Sequence, residues 1–270
     1  MDIRILIAAH KPYGFAQDDI YMPVQVGAAL NDKFGAACDD TGDNISDKNP
    51  YYCELTGLYW MWKNVKADYC GLVHYRRYFA VRGCRRLFGR NKYDAIAGRK
   101  DIEKLLADCD IILPSKRHYY IESLYSHYAH THYGEHLDIT RDIIHDKYPE
   151  YIESYDKVMK QRSGHMFNMM IMSRDKLDAY CTWLFDILGE LEKRVDYKGY
   201  DAFQARLFGR VSELLLNVWV VHGGYRYRRF RLSVRNAWRG DVRSSLLSPP
   251  NLVDANTIKV SKGYNKKAVR

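Results

Sequence analysis

The sequence predicts an α/β fold, and three observations predict it. Aliphatic runs at residues 3–9, 69–73 and 109–113 have the length of buried strands. Segments with apolar residues every three or four positions lie between and after them, as at Leu55, Leu58, Trp62 and Val65 and at Leu184, Leu188, Leu191 and Val195. Each run also gives way to cationic side chains: His10-Lys11, then His74-Tyr75-Arg76-Arg77, then Lys116-Arg117-His118 after Pro114. In α/β proteins ligands sit beyond the carboxyl ends of the strands, so such boundaries are where chemistry is expected.

At 270 residues the chain suits one large domain, or one domain with an appendage. Its 23 tyrosines offer flat apolar faces with a hydroxyl, which suit sugars, bases and interfaces. The six cysteines are scattered without a Cys-x-x-Cys pair and read as small buried hydrophobes in a reducing compartment. The first apolar run is too short for a signal peptide or a membrane span, so a cytoplasmic protein is expected. From residue 225 onward twelve lysines and arginines face two aspartates, a balance of +10; against the total of +9, the first 224 residues carry −1. A neutral body and a basic tail follow.

In chain order, residues 3–9 form the first strand, and His10 and Lys11 at its end are either nucleotide contacts or solvated turn residues. The acidic turn 39–44 contains Asp40, Asp43 and Asn44. These hold the ribose and base of a nucleotide, or a cation, or simply bond their own backbone; their spacing does not match a twelve-residue calcium loop. Asn49-Pro50 starts a helix with Asn as cap and Pro at the first position. Glu54 falls off its apolar stripe, either as a helix-end charge or as a partner for a sugar hydroxyl or an arginine. Residues 82–92 read as a basic surface loop that can serve as a lid.

His118, His127, His130, His132 and His136 are interleaved with tyrosines. The tight Cys/His framework of a zinc site is missing, so no metal ligands are assigned here. His127, His130 and His132 are read as an acceptor-binding surface, with a solvated amphipathic helix as the plainer alternative. Residues 166–172 read as a methionine-rich core strand in which Asn168 needs a hydrogen-bonding partner. Ser173 then caps a helix. A last helix is expected from near Asp201 to His222, with Phe203, Leu207, Val211, Leu214 and Val218 inward. Arg206, Arg210 and Glu213 lie off that stripe, where a surface ion-pair ladder is the bland reading.

The stretch 68–79, Asp-Tyr-Cys-Gly-Leu-Val-His-Tyr-Arg-Arg-Tyr-Phe, is the strongest functional clue. Two adjacent guanidiniums at a strand end make a doubly positive fork suited to a diphosphate. The blocks Cys-Glu-Leu-Thr-Gly-Leu-Tyr-Trp-Met-Trp-Lys-Asn (53–64), Gly-Leu-Val-His-Tyr-Arg-Arg-Tyr-Phe (71–79), His-Met-Phe-Asn-Met (165–169) and Gly-Arg-Val-Ser-Glu-Leu-Leu (209–215) resemble the DUF4422 family. These are bacterial glycosyltransferase-like proteins associated with capsule, exopolysaccharide and O-antigen clusters. The resemblance covers about residues 1–222.

It implies a GT-A-like (Rossmann-like) mixed sheet flanked by helices, a domain over 1–222 and a basic aromatic extension over 223–270. It further implies transfer of a hexose from a nucleotide sugar, UDP-linked and galactose-type by family association, to a saccharide or lipid-linked saccharide acceptor. Folds of this kind usually hold a divalent cation, Mn or Mg, with an Asp-x-Asp at a central strand end. No such motif follows residue 73, so the expectation is that Arg76 and Arg77, with His10, Lys11, His74 and Tyr75, hold the diphosphate. Asp40, Asp43, Asn44, Asn168 and Arg206 are expected around the nucleotide or sugar. Glu213, Asp201 and Glu54, in that order, are the expected bases for an inverting reaction. The tail suits an anionic membrane on the inner face of the cell. Its arginines and aromatic residues fit single-stranded nucleic acid too, and a non-catalytic nucleic-acid-binding protein is the alternative.

Overall fold

The structure is a computed structural model that describes residues 1–81 and 93–234. The basic loop 82–92 and residues 235–270 lie outside the described residues. Strand β1 (Ile3–Ala9) is buried along almost its whole length, as an aliphatic run covered on both faces must be. It pairs in parallel with β2 (Tyr21–Gln25) on one side and β4 (Tyr69–His74) on the other. A short β3 (Ala37–Cys38) extends the β2 edge. The continuation beyond β4 is mixed. β4 runs antiparallel to β9 (Met170–Ser173), which runs antiparallel to β6 (Ile111–Pro114). β6 is parallel to β10 (Tyr227–Val234), and β10 is antiparallel to β5 (Arg77–Ala80), which follows β4 directly. The eight-stranded order is β3-β2-β1-β4-β5-β10-β6-β9, with β9 returning to β4. Gly71 permits that return, since a Cβ there would sit 2.8 Å from Ile171 Cγ1 and 2.9 Å from the Met170 carbonyl.

Helices cover both faces. α1 (Asn49–Tyr52), α2 (Leu55–Asn64), α5 (Glu135–Lys147), α6 (Ile152–Met159), α7 (Arg174–Arg194) and α8 (Leu207–His222) close the larger core. α3 (Arg99–Leu106) packs on the other face, and α4 (Leu124–Thr131) precedes α5. α8 is apolar nearly all round and accordingly buried on nearly every side. A two-stranded ladder of β7 (Arg117–His118) and β8 (Ser163–Gly164) lies apart from the main sheet.

Several expectations are corrected. Residues 227–234, read as the start of the basic tail, form a strand inside the sheet, so the domain continues past 222. Phe230 and Leu232 pack into the core while Arg229 and Arg231 face outward, an alternation hidden by the net charge. The helix expected from Asn49 breaks at Cys53, which has φ 54°. There the Asn49 amide donates to the Cys53 carbonyl at 2.8 Å and to Thr56 Oγ1 at 3.1 Å. The strand expected at 166–172 begins only at Met170, because Phe167 and Asn168 turn through φ 75° and 52°. The last helix starts at Leu207; Phe203, expected inward, is 52% exposed. Among the described residues no helix is long and apolar enough to cross a membrane.

Two buried histidines give the fold a pH dependence. His136 is hydrogen-bonded to the hydroxyls of Tyr128 (2.9 Å) and Tyr200 (3.2 Å), and His165 Nδ1 donates to the Pro114 carbonyl at 2.6 Å. Burial pushes both down to about 4, from 6.5. The folded state therefore binds their protons less tightly than the unfolded chain does. Their stabilising contribution is complete above pH 6.5 and is lost as pH falls toward 4. Melting temperature at constant ionic strength is expected to fall across that window, and His136→Gln is expected to flatten the fall; a Tm constant from pH 7 to 5 would contradict this.

Candidate functional site

The carboxyl ends of β1 and β4 lie side by side, with Ala8 in register with His74 and the Tyr75 amide donating to the Ala8 carbonyl at 3.1 Å. This register brings the two cationic strand ends together. The Tyr75 ring meets His10 edge-on at 4.8 Å and stacks on Tyr13 at 4.2 Å. The Arg76 guanidinium stands 4.8 Å from the Tyr75 centroid, and the Lys11 ammonium is 5.5 Å from that of Tyr13. Burial, then the charges of Lys11, Arg76 and Arg206, disfavours a positive charge on His10. Positive charge on this exposed rim is therefore carried by lysine and arginine.

The floor of the site is half-buried at His74 and Glu54, fully buried at Asn168 and Ser212, and hydrogen-bonded throughout. His74 Nε2 donates to the Phe167 carbonyl at 2.6 Å, and burial lowers its pKa against the opposing pull of Glu54. Asn168 donates to Glu54 Oε1 at 2.8 Å and to the Gly209 carbonyl at 3.0 Å, while its own oxygen accepts from Ser212 Oγ at 2.9 Å. The left-handed backbone at Phe167 and Asn168 makes these contacts simultaneous. Glu213, 7% exposed, sits beside this network with Arg210 Nη1 at 3.5 Å. Burial pushes its carboxyl up and nearby Glu54 adds to that, opposed by Arg210 and Arg77.

The adjacent arginines are thus divided. Arg76 is exposed on the rim. Arg77 is half-buried, with its guanidinium 4.4 Å from the Phe167 centroid and its charge balanced by Glu213 and Glu54. Arg206 reaches the rim from the start of α8 and donates to Cys53 Sγ at 3.2 Å. Burial pushes the Cys53 thiol up to about 11, so sulfur here is a neutral acceptor.

Facing this centre is a wall of aromatic and imidazole groups. His132 is bonded to Gln204 Oε1 at 3.0 Å and stacks on Phe203 at 4.8 Å, near enough to Arg210 and Arg206 for their charges to hold its pKa down further, after burial. His127 and His130 share one carboxylate, Glu122, with His127 at 2.7 Å. His127 also packs on Tyr119 at 4.1 Å.

Other expected residues serve local turns, some of them away from this centre. Asp40 pairs with Lys33 at 2.7 Å beside β3. Asp43 and Asn44 stand by the far end of α2: Asp43 accepts from the Tyr59 hydroxyl at 3.1 Å and is bonded to the Asn64 side chain, while Asn44 bonds only its own turn. Ten residues of helix separate that end from Glu54, about 15 Å. Asp201 is exposed and accepts from the amides of Phe203 (2.8 Å) and Gln204 (3.0 Å), the work of a turn-forming aspartate. In the same acidic turn Asp39 is fully buried and takes four donors, from Gly27, Ala28, Ser46 and Thr56, so this cluster serves largely as local scaffolding. Ser212, Arg210 and Tyr13 were not anticipated. The first two lie within the 209–215 block, and Tyr13 is one of many tyrosines without a distinguishing spacing.

The end of β4 does not supply the ligands of a divalent cation. Hard cations take oxygen ligands, whereas the β4 end supplies an imidazole, a phenol and two guanidiniums. Among the described residues no group of three or more His, Cys, Asp or Glu side chains is arranged to hold a metal ion.

The chain matches the family model of a domain of unknown function (DUF4422) over residues 4–224. It is also similar to the apo structure of WbbM, a bifunctional glycosyltransferase, with 30% sequence identity and a TM-score of 0.80 over 87% of this chain. The match covers 45% of that protein, so the chain spans less than half its length. No curated protein sequence matches the chain. The mixed α/β sheet with its flanking helices is accordingly a glycosyltransferase fold. Since the matched region runs from β1 through α8 and contains the rim cations, the Asn168 turn, Glu54 and Glu213, the chain belongs to the DUF4422 family.

Proposed function

We propose that the protein is a glycosyltransferase that moves a hexose from a nucleotide sugar, UDP-linked and galactose-type, to a saccharide acceptor in surface polysaccharide assembly. The observation that carries this reading is the junction of an exposed cationic rim at the β1 and β4 ends with the half-buried Glu54 and the buried Glu213. Likeness to a glycosyltransferase supports the reaction class.

In this reading the diphosphate lies on the rim. Cleavage of the bond to the anomeric carbon leaves negative charge on the nucleotide, and Arg76, Lys11 and Arg206 stabilise it. Arg77 acts one layer deeper, holding Phe167 and balancing the glutamates. Glu213, with its raised pKa, accepts the proton of the acceptor hydroxyl in an inverting transfer; proton transfer is most effective when the base has a pKa near the working pH. Glu54, fixed by Asn168, orients the sugar that reacts. His132 and Phe203 form the acceptor side.

A thermal-shift panel of nucleotide sugars, run with manganese and with chelator, tests this reading. One UDP-sugar is expected to raise the melting temperature, and the shift is expected to persist in chelator. A panel with no stabilising nucleotide sugar would contradict the proposal.

A further inference from the structure

Beyond the end of β6 lies a second group of cations that the rim does not use. In the β7–β8 ladder Arg117 is opposite Gly164 and His118 opposite Ser163, so the next rung sets Lys116 against His165. His165 is anchored there by its Nδ1, which donates to the Pro114 carbonyl at 2.6 Å, and by its backbone amide, which donates to Asn217 Oδ1 at 2.7 Å. Pro114 in turn pairs with Phe230 of β10, which places Arg229 one residue away. The three basic side chains lie close together: the charges of Lys116 and Arg229 both bear on His165, and that of Arg229 on Lys116.

Two features of this group are unexplained by folding alone. Among the described residues neither Lys116 nor Arg229 has an acidic partner, although Lys116 is half-buried and feels the Arg229 charge. His165 is 2% exposed, yet its Nε2 has no hydrogen-bond partner. A carbonyl can only accept, so Nδ1 carries the ring proton and the buried Nε2 keeps an unpartnered lone pair, on a ring that meets Tyr227 edge-on at 5.1 Å and feels the charges of Lys116 and Arg229. Buried polar atoms are normally satisfied, and like charges held close together repel in the absence of a counter-charge. An oxyanion would answer both: it compensates Lys116 and Arg229, and it favours protonation of Nε2, which then donates to it.

We propose that Lys116, Arg229 and His165 Nε2 form a binding site for a phosphoryl group, separate from the Arg76 rim. His165 is three residues from Asn168, so the site and the Glu54–Asn168 contact share one short turn, no more than about 10 Å of chain apart. Assigning the phosphoryl group to the acceptor rests on the glycosyltransferase reading, in which the donor's own diphosphate occupies the rim. The acceptor is then a saccharide that carries phosphate close to its reducing end.

The test is an imidazole nitrogen NMR titration of the full chain with pyrophosphate. The His165 Nε2 resonance is expected to move saturably toward its protonated position. Lys116→Ala, a substitution outside the main sheet, is expected to weaken that response at least about tenfold, while Arg76→Ala leaves it unchanged. Parallel titrations with glucose 1-phosphate and with vesicles bearing a polyprenyl diphosphate separate a soluble acceptor from a lipid-borne one. A response to either that Lys116→Ala removes supports the site. Absence of any saturable His165 shift, or a shift indifferent to Lys116→Ala, would overturn it. Because the readout is a resonance of His165 and not turnover, a failed nucleotide-sugar panel would remove the donor reading without touching this result.

Discussion

Glu213→Gln is expected to lower turnover by about 10²–10⁴-fold, the range lost with a general base, with nucleotide-sugar affinity nearly unchanged. The amide keeps the shape of the side chain and its contact with Arg210 but cannot take a proton. The pH dependence of turnover checks the assignment independently. Glu213 must be ionised to act, and burial together with Glu54 raises its pKa, so activity rises with pH through an acidic limb above the ordinary carboxylate range. Glu54→Gln removes a neighbouring negative charge, which favours ionisation of Glu213, and moves that limb to lower pH. An acidic limb unmoved by Glu54→Gln would show that another group is the base.

Phe208→Ala is expected to destabilise the protein by about 3–5 kcal/mol. Phe208 is fully buried, stacked on Tyr52 at 4.6 Å and edge-on to Tyr197 at 5.1 Å. It lies next to Gly209, where an added Cβ would stand 3.2 Å from Cys53. The cavity would therefore open directly beneath the Cys53 break and the Arg206 contact. Urea denaturation measures the loss; a change below about 1 kcal/mol, far short of a buried aromatic truncation, would mean that the α1–α8 contact contributes little to stability.

The sequence was most legible where one physical rule acted alone. Strand β1 was found with its bounds because a β-branched and aliphatic run buried on both faces has few alternatives. β4 was found to within one residue for the same reason. The rim residues were legible because cationic side chains end both runs, and parallel pairing brings such ends together. Reading failed where tertiary contacts override local preference. A continuous helical stripe gave no sign of the left-handed Cys53, which is set by Asn49 and by the approach of Gly209. The methionine run gave no sign of the turn at Phe167 and Asn168, which exists to reach Glu54, Gly209 and Ser212. Glu213 and Arg210 read as a surface ladder because an i, i+3 pair looks the same on an exposed helix and on one enclosed by the fold. Net charge concealed β10, since arginines on one face outweigh Phe230 and Leu232 on the other.

The division of Arg76 from Arg77 is the point on which the account turns. Adjacent in sequence, they differ in burial and neighbours: one stands on the rim by Tyr75, the other lies over Phe167 among carboxylates. The direct measurement is calorimetric titration of the stabilising nucleotide sugar, in chelator, into the wild-type protein and Arg76→Ala. Affinity is expected to fall by about 10–100-fold in the variant, the loss of one charge-assisted contact of about 1.5–3 kcal/mol, with the melting temperature of the free protein unchanged. Equal affinity for the two proteins would contradict the claim that the cations at this strand end hold the diphosphate.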